Sequence, residues 1–416
     1  MTESILDRRR RLLGPAYRLL YTEPLRPVRG DGVWLTEADG RRVLDAYNNV
    51  ASVGHCHPRV VAALGRQAAL LNTHTRYLHE TVLDYAERLL ATCPPEIGQV
   101  MFTCTGSEAN DLALRIARTV TGGTGVIVTA NAYHGVTAAL AEMSPSLGPG
   151  VPLGTHVRTV PPPGGRGLDP AEAGGRFTRD VEAALADLAA AGLRPAALVF
   201  DTLFTSDGIF PDPPGMVAGA VAAVRRAGGL VVADEVQAGL GRTGTHMWGF
   251  ERHGIVPDLV TAGKPLGDGH PVAAVMARPE HLGEFGARSR YFNTFGGNPV
   301  SAAVGLAVLD VIRDEGLLES AAATGRHLHA RLADLAERHA VLGEVRSAGL
   351  YLGLDVADGR TAARLVDELR RAGVLVGLCG AASDTVKIRP PLVFGAGHAD
   401  LLADRMDETL SEDGLQ

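Results

Sequence analysis

Apolar residues recur along the chain in two spacings, which alternate from about residue 60 onward. Recurrence every three to four positions predicts amphipathic helices at 60–71, 81–90 and 107–119. Short, nearly continuous apolar runs predict strands covered on both faces at 99–102, 125–129, 196–200 and 230–233. Strands that alternate with helices in this way indicate βαβ units, and therefore an α/β fold with a parallel sheet.

The two ends of the chain, and one stretch within it, show other patterns. Asp-Gly pairs within 30–43 predict a hairpin, and the proline- and glycine-rich stretch 161–175 predicts an exposed loop. A long helical pattern covers 299–317. After it come helices predicted at 319–339 and 361–372 and strands predicted at 349–356 and 385–388. We therefore expect an N-terminal segment (1–58) that contributes to a small domain, a large domain (59–305) and a C-terminal small α+β domain (306–416).

Composition argues against several classes of protein. The net charge of −7 comes without acidic or basic blocks, so we expect neither a nucleic-acid-binding nor a membrane-binding surface. The apolar runs are too short to span a bilayer, and the N-terminus has no signal-peptide pattern. The four cysteines form no CxxC pair, which favours a reduced, cytoplasmic setting. His55, Cys56 and His57 are adjacent but lack a distant second pair of ligands, so we expect no metal site.

The first candidate motif is TGSEAN, residues 105–110, between a predicted strand and a predicted helix. Its glycine lets the backbone approach an anion, and the N–H groups and dipole of a helix start favour phosphate. The same residues also fit an ordinary helix start with Ser107 as the N-cap. The segment by itself leaves both interpretations open.

The second candidate is Asp234, at the end of a buried strand, where functional groups of open α/β sheets usually lie. A buried carboxylate needs a cation or strong donors. A protonated pyridine nitrogen would serve, and so would loop N–H groups around a purely structural carboxylate. The glycines at 239, 241 and 244 have the spacing of a dinucleotide-binding loop. That interpretation is disfavoured, because the strand already ends at Asp234 and no helix pattern follows.

The third candidate is Lys264, one of only two lysines in the chain, the other being Lys387. Lys264 lies in a glycine-rich loop with few charges, and a lysine kept from water has a lowered pKa and becomes a nucleophile or base. Tyr133 follows another strand, where it would either stack on a planar ring or simply pack. A phosphate seat, an aromatic ring, a carboxylate and a lysine together suit pyridoxal phosphate.

These residues stand in segments that resemble the class III aminotransferase family of fold type I over nearly the whole chain. The segments are TGSEANDLALRIAR (105–118), YHG (133–135), ADEVQAGLGRTG (233–244), PDLVTAGKPLGDGHPVA (257–273) and FNTFGGNPVSAAVGLAVL (292–309). The resemblance implies a mainly parallel seven-stranded sheet in a large domain, with a smaller α+β domain, and pyridoxal phosphate as the cofactor. It also implies that a small-molecule amine is the substrate.

The same resemblance gives roles to single residues. It implies that Lys264 carries the cofactor as a Schiff base and that Asp234 pairs with the pyridinium nitrogen. It also implies that Tyr133 stacks on the ring and that Gln237 approaches the ring hydroxyl.

The cofactor phosphate is expected to have two sets of contacts. By the resemblance, Gly106 and Ser107 bind it within one chain, and Thr294 reaches the phosphate of the neighbouring subunit. These contacts imply a homodimer with shared active sites.

Three further segments look most like the ethanolamine-phosphate and phosphohydroxylysine phospho-lyases of this family, namely 45–58, 71–80 and 263–273. A phospho-lyase must hold the leaving phosphate, for which Arg76 and Tyr77 are candidates. The same two residues also fit a solvated arginine beside a packed tyrosine. Arg389 matches the arginine that anchors a substrate carboxylate in aminotransferases, and it would equally suit a phosphate.

The stretch 201–208 bears on the choice of reaction. Many ω-amine aminotransferases carry Glu-Pro there, followed by a second Glu that masks an active-site arginine. This chain lacks the proline and has Ser206 near the second acid. That departure favours the elimination of phosphate and ammonia from an O-phosphorylated amino alcohol such as phosphoethanolamine. The alternative is an aminotransferase that moves an amino group to a 2-keto acid.

Two other classes would carry similar residues. A racemase or decarboxylase on the same scaffold would use the same groups, and substrate tests alone would separate it. A cofactor-binding sensor would need no free lysine and would usually carry a DNA-binding module, of which the sequence has no sign.

Overall fold

The computed structural model describes residues 3–412, which begin with a short helix and a three-stranded antiparallel meander. The elements are α1 (Ile5–Leu12), β1 (Pro27–Asp31), β2 (Trp34–Glu37) and β3 (Arg42–Asp45). Gly32 and Gly40 have φ values of 57° and 91°. These left-handed conformations suit glycine and form the two turns of the meander. The hairpin expected at 30–43 is confirmed.

The centre of the molecule is a seven-stranded sheet with helices between its strands. Its strands are β4 (Gln99–Thr103), β5 (Gly125–Thr129), β6 (Val157–Val160), β7 (Pro195–Asp201), β8 (Leu230–Asp234), β9 (Leu259–Ala262) and β10 (Ala273–Ala277). The helices are α2 (Pro58–Leu70), α3 (Glu80–Leu90), α4 (Gly106–Thr121), α5 (Ala138–Ala141), α6 (Ala173–Ala190), α7 (Ala218–Arg226) and α8 (Pro279–Arg288). The strand order is β4-β10-β9-β8-β7-β5-β6, and within this sheet β10 alone runs antiparallel to the others.

The predicted mainly parallel sheet is therefore confirmed, and the apolar runs explain it. Every residue of β5, β8 and β9 is buried, as expected of strands that helices cover on both faces.

Two predicted boundaries are wrong. The loop expected at 161–175 ends early, because α6 already begins at Ala173, the first of a stripe of buried apolar residues that continues with Phe177 and Val181. The long helix expected at 299–317 is in fact α9 (Pro299–Asp314) followed by α10 (Leu317–Arg338). Gly316 lies between them at a φ of 60°, a left-handed conformation that ends the first helix.

The C-terminal part contains a second sheet, which is antiparallel. After α10, the elements of the C-terminal part are β11 (Leu342–Ala348), β12 (Tyr351–Val356), α11 (Gly359–Arg371), β13 (Val374–Leu375), β14 (Gly377–Cys379), β15 (Thr385–Ile388) and α12 (Ala396–Glu412). The sheet has the order β11-β12-β15-β14. β13 instead pairs with β3, so the C-terminal part extends the N-terminal meander. Across residues 3–412, no helix is long and apolar enough to cross a membrane.

Candidate active site

The carboxyl ends of β4, β5, β7, β8 and β9 meet at one edge of the large sheet, where α/β proteins usually bind ligands. A cavity of about 350 Å³ opens there, a size typical of small-molecule sites. Its lining includes six of the predicted cofactor residues: Gly106, Ser107, Tyr133, Asp234, Gln237 and Lys264. The fold thus gathers residues that span more than 150 positions of sequence.

Asp234, the last residue of β8, is 5% exposed and is held by three donors. Its Oδ2 lies 2.8 Å from Asn110 Nδ2 and 2.8 Å from His134 Nδ1. Its Oδ1 accepts from the main-chain N–H of Val236 at 3.1 Å. Asn110 is itself fixed, because its Oδ1 accepts a 2.6 Å hydrogen bond from the hydroxyl of Thr261. These contacts orient the carboxylate and keep it in one position at the edge of the cavity.

The start of α4 has unused donors that face the cavity. Thr105, rather than Ser107, is the N-cap, because its hydroxyl accepts from Glu108 N at 3.1 Å while Glu108 Oε2 accepts from Thr105 N. The interpretation of Ser107 as the N-cap is therefore wrong. Within residues 3–412, the N–H groups of Gly106 and Ser107 have no hydrogen-bond partner. A Cβ on Gly106 would lie 3.0 Å from the methyl groups of Val236, so any other residue here would have to displace that side chain slightly.

Lys264 follows β9 at the start of a 3-10 turn (Lys264–Gly267). Burial, together with the positive charges of Arg389 and Lys387, lowers the pKa of its amine to about 8, against the opposing effect of Asp234 and Asp201. An amine with this pKa is partly neutral near pH 7 and can act as a nucleophile or a base.

Gln237 is held from two sides. Its Nε2 donates to the Thr205 hydroxyl at 2.8 Å, and its Oε1 accepts from the Tyr351 hydroxyl at 3.0 Å. The Thr205 hydroxyl in turn donates to the carboxylate of Asp201. Asp201 lines the cavity and pairs in register with Asp234 on the neighbouring strand, and burial raises the pKa of its carboxyl. Gln237 is therefore an inner member of a fixed hydrogen-bonded chain that runs from Tyr351 to Asp201.

Arg389, the predicted substrate anchor, is 8% exposed and does not belong to the cavity lining. Its Nη1 donates to Asn49 Oδ1, and its guanidinium carbon lies 4.3 Å from the ring centre of Tyr47. Asn49 Nδ2 donates to the main-chain oxygen of Gln237 at 3.4 Å, which links the arginine to the cavity wall.

Three predicted site residues lie elsewhere on the surface. Arg76 covers the ring of Phe292 at 3.9 Å, Tyr77 is 65% exposed, and Thr294 is also exposed. We call Arg76, Tyr77, Phe292 and Thr294 the Arg76 patch. None of the four belongs to the cavity lining of the same chain.

Sequence reasoning missed the contacts that hold the site residues in place. Asn110 and His134 stand in the quoted segments, yet no local pattern shows that both contact Asp234. No local pattern in the sequence gives a role to Asp201, which lines the cavity.

The segment 55–57, for which the sequence predicts no metal site, and the glycine run 239–244, for which it disfavours a dinucleotide site, have the following surroundings in the fold. His55 Nε2 lies 2.7 Å from Asp45, and His57 Nε2 lies 3.1 Å from Glu315, so each ring faces its own carboxylate. Among the described residues, no three His, Cys, Asp or Glu side chains are grouped as metal ligands. After the glycine run 239–244 comes a 3-10 turn, Gly249–His253, rather than an α-helix.

The donor set of the cavity fits pyridoxal phosphate. A fixed carboxylate suits a protonated ring nitrogen, a lysine of lowered pKa suits attachment, and free N–H groups at a helix start suit a phosphate. The fold and this donor set define a pyridoxal-phosphate enzyme of fold type I.

The chain belongs to the class III aminotransferase family, whose family model (Aminotransferase class-III) matches residues 21–410. Among solved structures, a phospholyase from Arthrobacter in complex with phosphoethanolamine is 44% identical, with a TM-score of 0.95 over 98% of this chain and 100% of that chain. An amine transaminase from an uncultivated Pseudomonas species, in its PLP-bound form, is 28% identical, with a TM-score of 0.86 over 97% of each chain.

Curated relatives fall into both reaction types. An alanine–glyoxylate aminotransferase 2-like protein of Drosophila melanogaster is 40% identical over 84% of this chain and 73% of its own length. Ethanolamine-phosphate phospho-lyase homolog 1 of Caenorhabditis elegans is 36% identical over 84% of this chain and 79% of its own length. The predicted family, fold and cofactor are thereby confirmed: the protein is a pyridoxal-phosphate-dependent enzyme.

Proposed function

We propose that this enzyme is a phospho-lyase, which removes phosphate and ammonia from an O-phosphorylated primary amine. The observation that carries this proposal is the 44% identity, over 98% of the chain, to the Arthrobacter phospholyase that holds phosphoethanolamine. With phosphoethanolamine and one water, the products would be acetaldehyde, ammonia and inorganic phosphate.

In this proposal, the described residues have distinct tasks. Lys264 is the attachment point of the cofactor, and Asp234 holds the proton of the ring nitrogen. When bound, pyridoxal phosphate withdraws electrons from the carbon that carries the substrate's amino group. Lys264 Nζ takes the proton of that carbon, for which a pKa of about 8 is well placed near neutral pH. The other cofactor contacts are Gly106 and Ser107 to the phosphate, Tyr133 to the ring face and Gln237 to the ring hydroxyl.

We further propose that the Arg76 patch completes the cavity of a second subunit in a homodimer. Tyr77 is 65% exposed and Phe292 41%, and both rings contact His74; large exposed apolar side chains that lie together in this way favour a protein interface. Arg76 and Tyr77 would hold the leaving phosphate of the neighbour's substrate, and Thr294 the phosphate of its cofactor. This arrangement would explain why these residues lie outside the cavity of their own chain.

The second candidate function is amine transfer to a 2-keto acid. The 40% identity to the aminotransferase-like protein of Drosophila melanogaster supports it, and buried Arg389 would then anchor a substrate carboxylate.

Incubation of cofactor-loaded enzyme with O-phosphoethanolamine, without any keto acid, separates the two functions. Many equivalents of phosphate and aldehyde per subunit would establish the lyase. No phosphate, together with amine transfer to pyruvate or 2-oxoglutarate from a panel of amines, would establish the aminotransferase. The Lys264→Ala variant controls for phosphate released by contaminating phosphatases.

A cytoplasmic setting is also a proposal. All four cysteines are free, as expected in a reducing compartment. Relatives from Arabidopsis thaliana and Homo sapiens are described as mitochondrial, so fractionation of the source cells is the deciding measurement.

A further inference from the structure

Asp201 lines the cavity, yet neither the proposed reaction nor the proposed cofactor contacts give it a task. It is the last residue of β7 and pairs in register with Asp234 on the neighbouring strand. The main-chain N–H of Leu203 donates to its Oδ1 at 2.9 Å, and the N–H and the hydroxyl of Thr205 donate to its Oδ2. Each of these groups gives a hydrogen to the carboxylate, which has none to give when it is ionised.

The carboxylate of Asp201 gives the hydrogen-bonded chain through Gln237 a single direction. A threonine hydroxyl, a tyrosine hydroxyl and an amide can each donate or accept, so the other three members by themselves allow either direction. Because an ionised carboxylate only accepts, the hydroxyl of Thr205 must donate to Asp201, and it is left to accept from Gln237. The amide of Gln237 then turns its Nε2 toward Thr205 and its Oε1 toward Tyr351, as observed.

This direction decides which end of the Gln237 amide has a free N–H. One hydrogen of Nε2 is given to Thr205, and the other has no partner among residues 3–412. Of the two ends of the chain, Asp201 lines the cavity and Tyr351 does not, which favours the Nε2 end of the amide as the one that meets a ligand. If the amide were reversed, a carbonyl oxygen would take the place of this N–H.

We propose that Asp201 is a positioning residue, which fixes the amide of Gln237 so that an N–H, rather than a carbonyl oxygen, faces the ring hydroxyl of pyridoxal phosphate. The proposal rests on the contact between Gln237 and the ring hydroxyl that is part of the proposed function. An ionised ring oxygen is stabilised by an N–H donor and destabilised by a carbonyl oxygen. Asp201 thus acts on the ring oxygen through Thr205 and Gln237, whereas its neighbour Asp234 is assigned to the ring nitrogen.

The test is a spectrophotometric pH titration of the cofactor-loaded enzyme without substrate, which follows the absorbance of the cofactor attached to Lys264. The proton that titrates is shared between the ring oxygen and the lysine nitrogen, and a donor at the ring oxygen favours its loss. Asp201→Asn keeps the shape of the side chain but can donate to Thr205, so the amide of Gln237 becomes free to reverse. We expect the pKa of the attached cofactor to rise by about one unit in this variant, a tenfold change in the protonation equilibrium.

The sign of the change separates this effect from a simple loss of negative charge. Removal of a nearby carboxylate by itself favours loss of a proton, and so lowers the pKa of the attached cofactor. Asp207→Asn, in the same segment of the chain, is the matched control for that effect. The carboxylate of Asp207 accepts from the Thr129 hydroxyl and from the main-chain N–H of Asn131, outside the chain through Gln237. This variant should leave the pKa unchanged or slightly lower.

A second pair of variants tests the link between Asp201 and Gln237, and serves should Asp201→Asn not fold. Thr205→Val removes the linking hydroxyl and should raise the pKa of the attached cofactor as Asp201→Asn does. Thr205→Ser keeps the hydroxyl and should stay within about 0.3 units of the wild type. An unchanged or lowered pKa in Asp201→Asn would overturn the proposal, and so would equal values in the two Thr205 variants.

Failure of the premises shows itself differently. Gln237→Met removes the amide and should also raise the pKa of the attached cofactor, whereas an unchanged value there would overturn the contact with the ring hydroxyl and the proposal with it. The titration uses no substrate, so it decides the role of Asp201 whichever reaction the enzyme catalyses. Failure of the phospho-lyase function appears instead as a wild-type enzyme that releases no phosphate from O-phosphoethanolamine.

Discussion

His134 Nδ1 and Asp234 Oδ2 lie 2.8 Å apart, although 100 residues separate them in the chain. The contact joins the connection after β5 to the end of β8, and both side chains are buried. Because Asn110 donates to the same oxygen, the carboxylate cannot turn away from the cavity without losing two hydrogen bonds. The orientation of Asp234 is thus set before any cofactor arrives, which is the kind of pre-organisation that binding sites use.

Replacing His134 should therefore weaken cofactor binding through its effect on Asp234. His134→Ala removes one of the two side-chain donors to Asp234, and we expect the Kd for pyridoxal phosphate to rise about tenfold, since a hydrogen bond to a charged group contributes about 1.5–3 kcal/mol. Titration of the apoenzyme with the cofactor measures this. His327→Ala, which breaks a surface pair with Asp400, is the control. Equal affinity in both variants would show that His134 does not position the carboxylate.

Lys264→Ala should abolish covalent attachment of the cofactor. Reduction of the loaded wild-type enzyme with borohydride should leave a stable adduct, which peptide mass spectrometry locates. Since the chain has only two lysines, an adduct on Lys264 that is absent from Lys264→Ala and retained in Lys387→Arg assigns the attachment point. Turnover should fall by about 10²–10⁴ through loss of the base. An adduct on Lys387 would contradict the assignment.

The rate at which apoenzyme captures the cofactor should depend on pH through Lys264. Its pKa is lowered to about 8 by burial, and attachment requires the neutral amine. Below pH 8 the neutral fraction, and with it the capture rate, should rise about tenfold per pH unit, and above pH 8 it should level off. Stopped-flow absorbance follows the reaction. A rate that keeps rising to pH 10 would indicate a lysine with an unshifted pKa.

Shared active sites predict complementation between two inactive variants. Lys264→Ala and Arg76→Ala should each show little lyase activity, but co-refolding them in equal amounts should restore about a quarter of the wild-type activity. Half of the dimers then contain one chain of each variant. In such a dimer, one of the two sites has an intact Lys264 from one subunit and an intact Arg76 from the other.

The control for this experiment mixes Lys264→Ala with Asp234→Ala, whose residues line the cavity of one chain. That mixture should recover no activity. Absence of recovery in the first mixture as well would mean that Arg76 serves its own subunit or none.

Local pattern in the sequence was enough for most of the elements and for six residues that line the cavity. Largely apolar runs such as Gly125–Thr129 are typical of strands that helices cover on both faces, so they predicted parallel strands. Gly106 and Lys264 lie in short segments with conspicuous glycines, and both residues line the cavity. The helical period alone predicted the wrong end for α9, because that helix ends where Gly316 adopts a left-handed conformation.

Tertiary structure decided which distant groups meet. The side-chain donors on Asp234 come from α4 and from the connection after β5, and Arg389, which follows β15 of the C-terminal sheet, is linked through Asn49 to the main chain of Gln237. Such contacts depend on how strands are ordered in a sheet and which elements cover them, and no periodicity along the chain encodes that order. The sequence by itself determined that the chain is a pyridoxal-phosphate enzyme. Only the packed fold decided that Lys387 is buried and that the Arg76 patch lies outside the cavity lining of its own chain, because burial depends on residues that are far apart in the sequence.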